Sequence, residues 1–328
     1  MKILFNRNNS IGILCLLLLA LLPVSCLKDD YAAKEKATVK MTFTTRAISN
    51  PTTNAGGLEA NEHMRTLRVI VARSSNSEIL YNLKYEIDEN ETSKTITFSE
   101  MTVNADGEAF DFYAIANEEK VNTEKSWDNV TVDDLKGMSL NDEFLTDAND
   151  ASKNTRIPQT VHRQITVMPQ AGGAIQSETM KLDFAVAKVR LTINNTSSGD
   201  QYVNDIKLSG INMESTPLFA EDHLSTENQG ELSLGDMTIP AGESATVYAY
   251  FFENQNSNGY TLTAFWKKDQ TLLLQTGFDD NKQNITEIPR GTELDINVKL
   301  NADVDINPTI YVQVNEWTGK TINVPAFE

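Results

Sequence analysis

Cysteine is almost missing from this chain. Its 328 residues include two, Cys15 and Cys26. Cys15 lies inside an N-terminal apolar run, so an exported and processed chain has no pair for a disulfide, no thiolate set for zinc and no thiol nucleophile. Stability has to come from a packed core. Histidine is as scarce: His63, His162 and His223 lie far apart and none has a ligand spacing such as HExxH. They read as surface or loop residues. No GxSxG elbow, P-loop or dinucleotide fingerprint occurs, and Asn54-Ala55-Gly56-Gly57 and Ala171-Gly172-Gly173-Ala174, without a flanking Lys-Ser/Thr, read as turns. Positive charge is deficient too: 28 Lys and Arg stand against 46 Asp and Glu, for a net charge of -18. That balance argues against a nucleic-acid partner and favours solubility outside a cell. Two carboxylate pairs, Asp279 with Asp280 and Asp303 with Asp305, are of the hard-ligand type that calcium takes. Lacking the EF-hand order, they read as solvated acidic loops. Low-complexity tracts and short-period repeats are missing as well. These gaps leave no expected catalytic residue, cofactor or metal, and make an enzyme the least expected class.

What is present begins with the leader. Ile11 to Leu22 is an unbroken apolar run preceded by Lys2 and Arg7, the pattern of a secretory signal too short to span a bilayer. A small residue immediately before a cysteine, here Ser25-Cys26, is how signal peptidase II sites look, so residues 1–25 are expected to be removed and Cys26 to be lipidated. The alternative is an ordinary secretory signal followed by a stray cysteine. Each buried acyl CH₂ contributes ~0.8 kcal/mol, so a multiply acylated Cys26 would hold the chain firmly at a membrane. Lys28-Asp29-Asp30 resembles the acidic signal that sends some Gram-negative lipoproteins to the outer surface. Removing residues 1–25 takes away Lys2 and Arg7 and moves the charge from -18 to -20. About 300 residues remain, enough for two domains.

After the leader, period-two alternation recurs. Val39, Met41 and Phe43 alternate with polar residues, and Leu67, Val69 and Val71 do the same with Ile70 as the exception. Further runs fall at Ile96 and Phe98, at Phe110 to Ala116, at Val189, Leu191 and Ile193, at Tyr260, Leu262, Ala264 and Trp266, and at Leu294, Ile296, Val298 and Leu300. Polar Asn, Asp, Gly and Ser clusters separate them, as in antiparallel sandwiches whose strands each present one face to the core. Trp266 and Trp317 sit within strand patterns and read as core rather than as a sugar platform. One short helix is predicted, with Thr131 capping Val132 to Lys136 and Gly137 as its stop. Asn141 to Arg156, polar and acidic, reads as a surface loop.

The order of pieces then carries a resemblance. A lipoprotein signal is followed by a short strand ending in Thr44-Thr45-Arg46-Ala47, then Met64-Arg65-Thr66-Leu67-Arg68-Val69-Ile70-Val71 running towards Ile79-Leu80-Tyr81-Asn82, then Phe112-Tyr113-Ala114-Ile115-Ala116-Asn117. Val186-Ala187-Lys188-Val189, Tyr250-Phe251-Phe252-Glu253-Asn254, Ile288-Pro289-Arg290-Gly291-Thr292 and Ile310-Tyr311-Val312-Gln313-Val314-Asn315-Glu316-Trp317 complete it. This resembles the fimbrillins, the subunits of type V pili, over nearly the whole chain. Phe184 departs from the basic residue that often precedes the Ala-Lys-Val element, and Gly291 from the Asn that often follows the arginine.

The resemblance implies an all-β fold of two tandem transthyretin-like antiparallel β-sandwich domains. Their expected bounds are 47–184 and 185–328, after a signal at 1–25 and a propeptide at 26–46. It implies an outer-membrane lipoprotein precursor that an arginine-specific protease cuts between Arg46 and Ala47, removing the strand that carries Val39, Met41 and Phe43. A C-terminal strand from another pilus subunit, in a homopolymer or a mixed filament, would then fill the groove by β-strand addition. In this sequence the donor candidates within 309–327 are Ile310, Val312 and Val314, then Ile322 and Val324, with Phe327 one step out of phase after Pro325. Two plainer readings stand beside these: 309–327 as the last hairpin of the second domain, and Arg46 as a charged residue at the end of an edge strand. A lipid-retained anchor or tip subunit of the same pilus, and a surface glycan-binding lipoprotein, are the other function classes.

Overall fold

Alternation over the first described segment puts Ala37, Val39, Met41 and Phe43 on one face of strand β1 (Glu35–Thr45), all buried. The computed structural model describes residues 34–45, 58–88, 91–121, 125–170, 175–219, 224–226, 230–266, 270–276, 285–300 and 309–316, with backbone alone for 270–276 and 309–316. Four more strands follow: β2 (Thr66–Arg73), β3 (Ile79–Glu86), β4 (Ser93–Val103) and β5 (Glu108–Ala116). Helix α1 (Val132–Gly137) and the short β6 (Ser139–Asn141) lead into helix α2 (Asp142–Ala148), then β7 (Gln159–Val167) and β8 (Gln176–Phe184). These strands hydrogen-bond in the order β3-β2-β5-β7-β8-β1-β4. Only Gln159 with Phe184 and Thr160 with Asp183 pair across β7 and β8. The ribbon therefore folds there into two layers, enclosing a core in which Val39, Met41, Phe43, Phe98 and Met180 meet Leu67, Val69, Val71, Phe110 and Phe112.

Ala185 and Val186 separate β8 from the second set: β9 (Ala187–Asn195), β10 (Gln201–Ile211), β11 (Ser215–Pro217), β12 (Gly230–Ile239) and β13 (Ser244–Phe251). It continues with β14 (Asn254–Gln255), β15 (Tyr260–Trp266), β16 (Gln270–Thr276), β17 (Glu287–Ile288), β18 (Thr292–Leu300) and β19 (Thr309–Glu316). Sheets β12-β10-β15-β16 and β13-β9-β18-β19 enclose a second core. Trp266 lies in it, 3% exposed, and its indole N–H donates to Gln201 at 2.9 Å. Antiparallel pairing does not hold throughout, which corrects the sequence expectation: β1 runs parallel to β8 and β9 parallel to β18. Each parallel pair is joined by a long connection that itself carries strands, as parallel neighbours require.

A third apolar cluster joins the sandwiches, and it explains the irregular runs. Every residue of β2 is buried. Leu67, Val69 and Val71 face the first core, while Ile70 and Ala72 join Tyr113, Ile115, Leu135, Phe144, Val186, Tyr250 and Phe252 in the junction. A strand covered on both faces loses the alternation of a half-exposed one. The predicted helix forms with a capping box between Thr131 and Asp134, but Gly137 is its last residue rather than its stop, and Met138 returns to extended backbone. The surface loop expected over 141–156 is corrected: Asn141 accepts a hydrogen bond from the Phe144 N–H and caps α2, which buries Phe144, Leu145 and Ala148 in the junction. That one-sided spacing was present in the sequence, but seven residues are too few for periodicity to stand out.

Candidate functional site

Strand β1 is an interior strand whose neighbours come from distant parts of the chain. Against β4 it pairs Val39 with Phe98, Met41 with Ile96 and Phe43 with Lys94; against β8 it pairs Val39 with Gln176 through to Thr45 with Leu182. Val39, Met41 and Phe43 are 0% exposed. Burying such side chains contributes ~1.5–3 kcal/mol each, so an empty β1 position would expose a core slot between two unpaired ladders. A bulge interrupts the β4 ladder between Ala37 and Val39, where Glu100 takes φ 64°. Lys36 sits 2.7 Å from the Glu100 carboxylate and its hydrogen bond holds that carboxyl below the usual range, although both groups are exposed and the pair adds little to stability. At the other end the Thr45 N–H donates to the Thr92 carbonyl at 3.1 Å. Arg46, Ala47 and Cys26 lie outside the described residues. The covalent link from β1 into the rest of the sandwich passes through residues 46–57.

Beyond that link, residues 58–65 are tied to both sandwiches. Glu62 Oε1 lies 2.6 Å from Lys188 Nζ, and neither side chain is exposed. Tyr250 donates its hydroxyl to the same oxygen at 2.9 Å. Burial and the Glu62 charge push the Tyr250 phenol well up, so it stays a donor. Lys188 also lies 3.6 Å from Glu293 and 4.7 Å from the centre of the Tyr248 ring, while Arg190 bonds Glu293 at 3.0 Å. The backbone is held as firmly. Ile157 N–H donates to Asn61, Gln159 Nε2 to the Glu62 carbonyl, and Asn117 Nδ2 to the His63 carbonyl, while Asn117 Oδ1 accepts from the Arg65 N–H, all at 2.9–3.0 Å. Asn117 has φ 57°, a left-handed conformation that asparagine tolerates. Replacing Lys188→Met should take from the buried Glu62 carboxylate the cation 2.6 Å away and cost about 3–5 kcal/mol, with Lys188→Met/Glu62→Gln recovering much of it. Chemical denaturation of the three proteins measures this, and a single variant as stable as wild type would contradict it.

Four of the loose sequence pieces that carried the resemblance supply polar anchors of this junction. Besides Lys188 and Asn117, Arg290 bonds Glu253 and donates to the carbonyls of Leu218 at 2.9 Å and Pro217 at 2.7 Å, fastening β11. Sequence alone did not mark Glu62, whose partner is 126 residues away. His63 lies in the 58–65 segment. His162 is a surface residue on β7, with its ring stacked on Tyr113 at 4.3 Å and Nε2 3.0 Å from Asp111. Among the described residues no group of three or more His, Cys, Asp or Glu gathers as a metal site. His223, Asp279, Asp280, Asp303, Asp305, Trp317 and both glycine-rich turns lie outside them.

Of the donor candidates, Ile310, Val312 and Val314 lie on β19, at the edge of the second sandwich's sheet. Their register partners on β18 are Val298, Ile296 and Leu294. Ile322, Val324 and Phe327 lie outside the described residues.

No protein-family model and no curated protein matches the sequence. Solved structures do match. The chain is similar to the tip fimbrial protein Mfa3 from Porphyromonas gingivalis with a C-terminal truncation, at 14% identity over 85% of this chain and 100% of that one, with a TM-score of 0.57. It is similar to a fimbrilin from the same organism, at 13% identity over 85% and 98% of the two chains and a TM-score of 0.53. A candidate cell adhesion protein from Bacteroides eggerthii matches at 13% identity over 86% and 97%, also at 0.53. At these identities the likeness is one of fold: this chain has a fimbrillin-like, all-β sandwich fold.

Proposed function

We propose that this chain is a structural subunit of a cell-surface type V pilus that supports adhesion. It is exported as a lipoprotein on Cys26, cut after Arg46, and polymerised when a strand from another subunit replaces β1. The observation that carries the reading is the position of β1: fully buried on its inner face, hydrogen-bonded on both edges, and ending one residue before Arg46. One cut there severs its covalent link to the sandwich without touching residues 58–65, whose bonds to Lys188, Ile157 and Asn117 keep the trimmed chain anchored. The fold shared with fimbrial proteins supports the same reading. Removing residues 27–46 takes five basic and three acidic side chains and leaves the trimmed subunit at -22.

Mild arginine-specific proteolysis of the precursor should yield an N-terminus at Ala47 by mass spectrometry and an SDS-resistant ladder on gels. Cleavage at Arg46 without any ladder would count against polymerisation. A second reading, a lipid-retained anchor or tip subunit, draws support from the seat of β19 in its own sheet and from the fold shared with a tip protein. For an anchor, the chain recovered from filaments would begin at Cys26 instead of Ala47.

A further inference from the structure

Among the described residues five large apolar side chains are exposed: Met168 (52%), Ile175 (53%), Tyr202 (59%), Phe265 (47%) and Tyr248 (37%). Tyr248 covers the Lys188 ammonium. The other four lie at the two ends of the molecule remote from the junction. We propose that these ends meet head to tail between copies of this chain, Met168 and Ile175 of one copy against Tyr202 and Phe265 of the next. The inference rests on the strand-exchange reading.

Strand register locates both ends. β1 starts beside Val103 and ends beside Leu182, two residues before the junction residue Phe184, so it runs from the remote end towards the junction. Gln170 N–H donates to the Lys36 carbonyl at 3.0 Å, Met168 N–H donates to Gln176 Oε1 at 3.2 Å, and Gln176 is beside Val39. Met168 and Ile175 therefore flank the first residues of β1. In the second sandwich β9 runs from Ala187, next to the junction, out to Asn195, and β18 runs parallel to it as far as Leu300. Lys299 pairs with Thr309, so β19 begins at the remote end. Tyr202 lies at that end too, since Asn195 donates its N–H to Glu243 and its side-chain amide to Gly199, and β10 starts at Gln201. Phe265 opposes Asn204. Both rings are on the outer face, because their neighbours Val203 and Trp266 are buried.

An incoming strand can fill an interior slot in either direction, and sterics choose between them. A C-terminal donor trails its own subunit from its N-terminal side. Inserted in the direction of β1, it leaves that subunit at the open remote end beside Met168 and Ile175. Reversed, it would place the subunit at the junction, where α1, α2 and the second sandwich already pack. The donor also leaves its parent at a remote end, where residue 300 leads into 309. Strand exchange thus brings a methionine and an isoleucine to two aromatic rings, an apolar and sulfur-tolerant match. The contact joins two different surfaces and extends into an open chain instead of closing as a dimer.

Two variants test this, Met168→Glu/Ile175→Glu and Tyr202→Glu/Phe265→Glu, each at exposed positions. Melting of the uncut precursors should match wild type. After cutting, both should take up a synthetic peptide of residues 309–328 as wild type does, while filament growth followed by light scattering slows by about tenfold or more. Mixing the variants restores one sound contact per pair, so dimers should form in preference to longer chains. Normal peptide uptake with unchanged growth in both variants would overturn the interface and leave strand exchange standing. Peptide refused by wild type as well would sink the strand-exchange reading and this inference together.

Discussion

Arg46→Ala should yield a subunit that stays monomeric under arginine-specific proteolysis and melts at a higher temperature than the cut chain. In the uncut chain, β1 is tethered through residues 46–57, so its re-binding is intramolecular and the strand is effectively always in place. Its three innermost side chains contribute ~1.5–3 kcal/mol each, and two ladders add to that. Once the link is cut, β1 can leave, and every departure exposes Phe98, Phe112 and Met180 of the first core. Within β2, Arg68 and Arg73 are 8% exposed, so they offer the protease far less than a chain segment between elements. Size-exclusion chromatography and calorimetry before and after protease treatment read both effects. A variant that polymerises at the wild-type rate would remove Arg46 from the mechanism.

Charge on the donor should be as decisive. Ile310→Asp with Val312→Asp should abolish polymerisation, because two carboxylates would have to enter a slot lined by apolar side chains with no partner for either charge. Deleting residues 309–328 should give a folded subunit that does not polymerise. β19 pairs along one edge, with β18, and its removal leaves the β9–β18 ladder and the core face of β18 in place. For exchange β19 has to leave β18, which an edge strand does by breaking one ladder where an interior strand breaks two. The plainer hairpin reading expects the truncated chain to unfold or aggregate. Circular dichroism melting of the truncated, unpolymerised subunit separates the two, and a collapse of its melting temperature would falsify the donor assignment.

Much of the first sandwich is legible in the sequence. Val39, Met41 and Phe43 announce an inward face because alternation is a property of a single strand, set by backbone geometry within a few residues. The same holds for Leu294, Ile296 and Val298 and for the cap of α1 at Thr131. Helix α2 is not legible there, because its apolar positions, Phe144, Leu145 and Ala148, are few and sit among carboxylates. Ile70 looked like an exception to a pattern, when in fact β2 has two buried faces.

By itself, then, the sequence determined the strands whose apolar residues alternate, among them β1, β9, β15 and β18, and which side of each is apolar, since both follow from local spacing. It could not determine neighbours. That β1 lies between β4 and β8, parallel to the latter, and that Glu62 meets Lys188 at 2.6 Å, were decided by the tertiary structure. Pairing and burial join residues tens to more than a hundred positions apart, and the free energy of an ion pair or a ladder depends on what surrounds it, not on its place in the chain.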